Sequence, residues 1–293
     1  FGLVMLSAMG AVCLDGSPAG YYLRRGDPDK YIVHIMGGGW CTDEEDCIER
    51  SKTTLGSSKN WPPKSTPTMD GGAHGMFSAD PLVNPDFHNW TMVILNYCDG
   101  ASFAGNVSSP VMVNGTALHF RGKFILEASL RSLLKGGMKK ASRVIVKGGS
   151  AGGLAVYLHL DRIRAMLPST ISVKGLADGG YFLDTPDWEG VSRWTPTYKY
   201  VSEMQNVVTD AGCEAYFRGD QRWMCFMAPY VSVFVTADLY IVNSFYDTWQ
   251  LKNILNLDCA SNVSQCTGAR LVVMQQQRGN MLSSIKAVLQ LEG

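Results

Sequence analysis

Short apolar runs alternate with amphipathic stretches along this chain, and that alternation limits the fold more than any other feature. Residues 31–36 form a β-rich apolar run that ends in Gly37-Gly38-Gly39, the pattern of a buried strand delivering a tight loop. Residues 91–97 form a second such run. From about Leu118 to Leu134 the period turns helical, with Leu126, Leu130, Leu133 and Leu134 on one stripe and Gly136-Gly137 ending it. A strand over 143–147 follows, then a helix in which Val156, Leu160, Ile163 and Leu167 recur until Pro168 closes it, then a strand over 171–176. Residues 239–245 read as a further strand leading to Asp247 and a helix through Leu255, and 270–291 as mostly helix. Runs this short and this continuously apolar are buried on both sides. The expected class is therefore α/β: a mostly parallel sheet with helices on both faces.

Composition adds limits rather than detail. At 46% hydrophobic and 18% charged residues, the chain has the profile of a folded protein, and its 293 residues suit one large domain. The formal net charge is +0, so no overall field draws in nucleic acid or anionic lipid. Residues 1–9 are apolar but too few to span a bilayer, and no later window is long enough. Residues 51–85 are rich in Ser, Thr, Pro and Gly and predict a long irregular excursion, a common wall for a binding site.

The eight cysteines include no CxxC and no zinc-finger spacing, which argues against a metal. Their even number, and the short intervals between Cys41 and Cys47, Cys213 and Cys225, and Cys259 and Cys266, suit disulfides made in an oxidising compartment. Sequons at Asn89, Asn106, Asn114 and Asn262 point the same way.

Chemistry concentrates in Gly148-Gly149-Ser150-Ala151-Gly152-Gly153, placed between a strand and a helix. A serine hydroxyl is a weak nucleophile. A sharp strand-to-helix turn lifts it clear of the sheet beside helix-terminal N–H groups, and only small neighbours allow that turn. A phosphate-binding loop is the alternative, but the Lys-Ser/Thr ending and the GxGxxG spacing are both missing. The glycine run before Trp40 supplies the second element: an oxyanion needs backbone donors, here the N–H groups of Gly39, Trp40 and Ala151. Asp247, just past a late strand, is the candidate acid, although an Asp there also suits a helix N-cap. Asp178 is the second choice, and Asp184 reads as a loop-shaping residue.

The base is harder to place. The histidines are His34, His74, His88, His119 and His159, and none follows Asp247. His34 in a strand and His159 in a helix read as satisfied structural residues, His119 as opening a helix, and His88 as part of a polar loop. His74, in the glycine-rich excursion, is the remaining candidate.

Five blocks carry a resemblance: residues 13–22 (Cys-Leu-Asp-Gly-Ser-Pro-Ala-Gly-Tyr-Tyr), 37–41 (Gly-Gly-Gly-Trp-Cys), 148–153, 175–184 and 243–251. In this order they resemble the pectin acetylesterase and Notum family, over about Ala11 to Asp247 and beyond. The resemblance implies an α/β-hydrolase-like fold, disulfides, no metal or cofactor, and an extracellular, cell-wall location. It implies Ser150 as nucleophile, Asp247 as acid, and Gly39, Trp40 and Ala151 as oxyanion donors. It also implies a histidine tens of residues after the acid, in a Cys- and His-containing block that is absent here, so the expectation is a chain truncated before its base. The 293 residues alone should then catalyse very poorly. The expected activity is a serine carboxylesterase that removes acetyl groups from pectin, since the 37–41 block is closer to the plant-type enzymes. A Notum-like protein deacylase and an inactive carbohydrate-binding homologue are the alternatives.

Overall fold

The computed structural model describes residues 1–8, 10–65 and 75–289. In chain order the strands are β1 (Gly2–Met5), β2 (Gly20–Arg24), β3 (Asp27–Ile35), β4 (Trp90–Leu95), β5 (Val111–Val113), β6 (Thr116–Leu118), β7 (Arg143–Gly149), β8 (Ser172–Asp178) and β9 (Leu239–Val242). The helices are α1 (Glu44–Ser51), α2 (Gly122–Lys135), α3 (Ala151–Met166), α4 (Trp194–Met204), α5 (Ala211–Tyr216), α6 (Ala228–Val231), α7 (Thr248–Asn253) and α8 (Ala269–Leu289).

Seven strands form one sheet in the order β1-β2-β4-β3-β7-β8-β9. The pairs from β4 through β9 are parallel, while β1 and β2 add an antiparallel margin. This is the α/β-hydrolase-like arrangement. Register explains the continuous apolar runs. Val33, Val93 and Val146 point to the face that α3 packs against, while Ile32, Met92 and Ile145 point to the other. On that second face Phe77 and Phe87, from the excursion after β3, close over Ile32 and Met92. Both faces of the central strands are therefore apolar, as a buried parallel sheet requires.

Helix α3 is buried through most of its length because it crosses the sheet against β7 and β8. Gly175 of β8 makes room for it: a Cβ there would lie 2.5 Å from a Leu160 methyl. No helix among the described residues is long and apolar enough to cross a membrane.

Two expected elements differ. Residues 116–118 do not open α2 but pair with β5 as a hairpin, since Asn114 (φ 47°) and Gly115 (φ 78°) supply the two positive dihedrals of a tight primed turn. His119 consequently lies in a connection before α2 and opens no helix. The strand expected over 239–245 stops at Val242, because the Asn243 side chain leaves the ladder and its Oδ1 accepts from the Tyr181 N–H at 3.0 Å. The expected intervals do form disulfides: Cys41–Cys47, Cys213–Cys225 and Cys259–Cys266, with Cys13–Cys98 as the fourth.

Candidate active site

The five parallel strands β4, β3, β7, β8 and β9 point their carboxyl ends to one edge, where open α/β sheets place their ligands. Ser150 stands at that edge between β7 and α3, with φ 56° and ψ −127°. A non-glycine residue there is strained by about 1–3 kcal/mol and persists only where neighbours hold it. Three contacts do so. The Ser150 N–H donates to the Asp178 carbonyl at 2.9 Å, the Leu154 N–H donates to the Ser150 carbonyl at 3.0 Å, and Gly152 sits against β3. A Cβ on Gly152 would lie 2.1 Å from the Ile35 carbonyl oxygen, so only glycine lets α3 begin this close to the strand. The glycines around the serine therefore serve the turn, as their spacing predicts.

The 37–39 loop lies directly against this turn. A Cβ on Gly37 would come within 2.4 Å of the Gly149 carbonyl and 3.1 Å of the Ala151 nitrogen. Beyond it, the loop carbonyls are held from outside: Arg50 Nη2 donates to the Gly38 oxygen at 2.6 Å, and the Tyr97 hydroxyl donates to the Gly39 oxygen at 2.6 Å. In a trans peptide the N–H points opposite to the C=O. Anchoring these two carbonyls thus aims the N–H groups of Gly39 and Trp40 away from Arg50 and Tyr97, and neither has a partner among the described residues. The Ala151 N–H is also unpaired, being the first of α3, where the helix dipole adds positive potential.

A buried serine ties the two loops together. Ser102 Oγ accepts from the Trp40 indole N–H at 2.8 Å and donates to the Ala151 carbonyl at 2.8 Å. Its own N–H donates to the Tyr97 hydroxyl at 2.9 Å, so one residue couples Gly39, Trp40 and Ala151. Ser102 and Phe103 both adopt left-handed φ, 52° and 59°. Asp99 makes that possible, its Oδ2 accepting from Ala101 and Phe103 N–H groups. Burial pushes the Asp99 carboxyl up to about 6 despite those bonds. Neither Ser102 nor Asp99 was among the candidates read from sequence. The glycine in Asp99-Gly100-Ala101-Ser102, just past a buried strand, was the available signal.

Trp40 is 7% exposed and packs edge-on against Phe182 (5.0 Å), Tyr198 (5.5 Å) and Trp249 (5.8 Å). Trp249 belongs to α7, so this cluster joins the loop before Trp40 to the helix that Asp247 caps.

Asp247 lies five residues past β9, two strands from β7 on the same sheet edge, and its carboxylate accepts from the Gln250 N–H at 2.8 Å. It therefore does the N-cap work that its position also predicted, and among the described residues it makes no bond to a histidine. Asp178, the second choice, shapes the turn through its carbonyl, while its carboxylate faces Lys147 at 3.6 Å. Asp184 accepts from the hydroxyls of Thr195 and Tyr230, which fits its loop-shaping reading.

None of His34, His88, His119 or His159 hydrogen-bonds to Ser150 or Asp247, and His74 lies outside the described residues. His159 is fully buried with Nε2 3.1 Å from the Ser102 carbonyl, and burial pushes its pKa down to about 3. His34 packs edge-on against Phe77 at 5.0 Å. The expectation that both are satisfied needs correcting, since Nδ1 of each has no partner among the described residues.

A family model described as Pectinacetylesterase matches residues 2–292. The chain belongs to the pectinacetylesterase family. Pectin acetylesterase 7 of Arabidopsis thaliana is 36% identical over 296 residues, covering 96% of this chain and 73% of that relative. Pectin acetylesterase 11 of the same plant is 35% identical at the same coverage. Palmitoleoyl-protein carboxylesterase NOTUM of Mus musculus is more distant, 32% identical over 85% of this chain and 50% of its own length. For a pectinacetylesterase the arrangement is chemically coherent: a strained serine, three nearby N–H groups with no partner among the described residues, and a carboxylate on the same sheet edge.

Proposed function

We propose that the protein removes acetyl groups from pectin, as the names of its plant relatives indicate for them, through an acyl-enzyme on Ser150. Ser150 Oγ gives its proton to a histidine base as it attacks the acetyl carbonyl, and the tetrahedral oxyanion forms. The N–H groups of Gly39, Trp40 and Ala151 stabilise it, each donor lowering the barrier by about 3–4 kcal/mol. The sugar alkoxide leaves with a proton from the base, and water then releases acetate from the serine. Asp247 orients the histidine that serves as this base.

The observation that carries this reading is the Ser102 bridge between the Trp40 indole and the Ala151 carbonyl, which holds the donor loop against the strained serine. The acetyl assignment rests on the plant relatives, which share 35–36% of their residues with this chain and are named pectin acetylesterases. Four disulfides support an oxidising, extracellular compartment, for which the cell wall is the corresponding location.

Acetate release from acetylated pectin tests the proposal. The native protein releases acetate and Ser150→Ala does not, and an acetyl ester is cleaved faster than an octanoyl ester. Undiminished release by Ser150→Ala would overturn the mechanism, and faster octanoyl cleavage would overturn the acetyl assignment.

A further inference from the structure

The turn after β4 is built around one carboxylate. Asp99 is 0% exposed, and its Oδ2 accepts from the Ala101 N–H at 3.2 Å and the Phe103 N–H at 2.8 Å, while Oδ1 has no partner among the described residues. A Cβ on Gly122, the first residue of α2, would lie 2.2 Å from Oδ2 and 2.7 Å from the Phe103 Cα. The start of a 14-residue helix therefore abuts the carboxylate, and the helix dipole favours a negative charge there. Arg50 of α1 is the cation whose charge reaches Asp99, and the two form no ion pair among the described residues.

This turn needs the charge. Ser102 and Phe103 both lie in the left-handed region, at φ 52° and 59°, which strains residues that carry a side chain. Hydrogen bonds to an ionised acceptor are about twice as strong as neutral ones, so the two N–H bonds offset that strain best while Asp99 is ionised. A neutral Asp99 also loses the attraction of the α2 dipole and of Arg50. Ser102 then leaves its place, and the 2.8 Å bonds to the Trp40 indole and the Ala151 carbonyl go with it. The groups around the turn hold their states. His159 of α3, 3.1 Å from the Ser102 carbonyl, stays neutral because burial pushes it down to about 3. Burial and then the Asp99 charge push the Tyr97 hydroxyl up, Arg50 keeps its charge, and Lys123 of α2 faces Glu127 at 3.1 Å. Asp99 is pushed up to about 6 by burial, so its charge changes between pH 8 and 5.

We propose that Asp99 is a positioning residue for ester hydrolysis: its ionised carboxylate holds Ser102 in the conformation that clamps the donor loop to the nucleophile turn. The assignment rests on Gly39, Trp40 and Ala151 serving as the oxyanion donors. Those bonds form fully only in the transition state, so misplacing them lowers kcat and leaves KM largely unchanged.

Acetate release between pH 8 and 5, by the native protein and by Asp99→Asn, tests the proposal. The substitution keeps the shape and removes the charge. At pH 8 kcat of the variant falls roughly 10²-fold, the cost of one oxyanion donor, with KM little changed. By pH 5 the wild-type to variant ratio shrinks about tenfold, because a protonated Asp99 is as neutral as Asn. The histidine base titrates in both proteins and cancels in that ratio. A ratio constant with pH, as a merely structural carboxylate would give, or an unchanged kcat at pH 8 overturns the proposal. The wild type alone gives a second measurement if the variant does not fold: the Trp40 indole N–H resonance shifts as Asp99 titrates, and a signal unmoved from pH 8 to 5 overturns the link. Ser150→Ala separates this proposal from the esterase reading. Acetate release by Ser150→Ala strikes that reading, whereas a constant ratio beside an inactive Ser150→Ala strikes Asp99 alone.

Discussion

Ser102 illustrates what a single residue can hold together. Its hydroxyl satisfies the Trp40 indole and the Ala151 carbonyl at once, and its N–H reaches Tyr97. Nothing in its local sequence names those partners, which lie 62, 49 and 5 residues away. Ser150 is different: small neighbours on both sides announce its backbone conformation, because a strained turn excludes side chains locally. His159 accepts its place in the same core by staying neutral. Its folded pKa of about 3 is below the unfolded 6.5, so between these values only the unfolded chain takes up the proton. The stability it contributes is full above pH 6.5 and falls as pH drops toward 3, by at most about 1.4 kcal/mol per pH unit. A His159→Gln variant should therefore lose less stability than the wild type between pH 7 and 4.5. Denaturant melts of both proteins check this, and parallel pH profiles would refute it.

At the level of elements, the approach of the 37–39 loop to the start of α3 decides whether the donors converge. Gly37→Ala places a methyl against the Gly149 carbonyl, which is backbone and cannot rotate away. The loop must shift, and losing even one oxyanion donor should reduce kcat by about 10²–10³-fold. Overpacking should cost about 1–3 kcal/mol besides. Acetate-release kinetics with a melting curve measure both effects, and an unchanged kcat would show that the loop does not supply the donors. Elements also show where periodicity misleads. Leu118 continues a helical-looking stripe but belongs to β6, since the Asn114-Gly115 turn commits the chain to a hairpin first. Asp247 is ambiguous for a related reason: capping α7 and orienting a base both ask for a carboxylate at the same place.

Across the whole molecule, two disulfides brace the site from different distances. Cys41–Cys47 closes six residues directly after Trp40, whereas Cys13–Cys98 joins the amino-terminal segment to the exit of β4 across 85 residues. Chain-entropy arguments assign about 2 kcal/mol to the short loop and about 4–5 kcal/mol to the long one. Replacing both cysteines by serine should therefore cost more stability at Cys13–Cys98. Activity should suffer more at Cys41–Cys47, which anchors the donor loop to α1. Urea unfolding and acetate release on the two double variants separate these outcomes, and a larger stability loss at the short loop would contradict them. The alternation of strands and helices in a mostly parallel sheet, the position of the serine turn and three of the disulfides were legible in the sequence, because hydrophobic period, glycine spacing and short intervals act over a few residues. The hairpin inserted before α2, the Ser102 bridge, and the His34 and His159 nitrogens left without partners among the described residues were decided only by tertiary structure. Each depends on groups brought together from distant parts of the chain, and no local pattern encodes such a meeting.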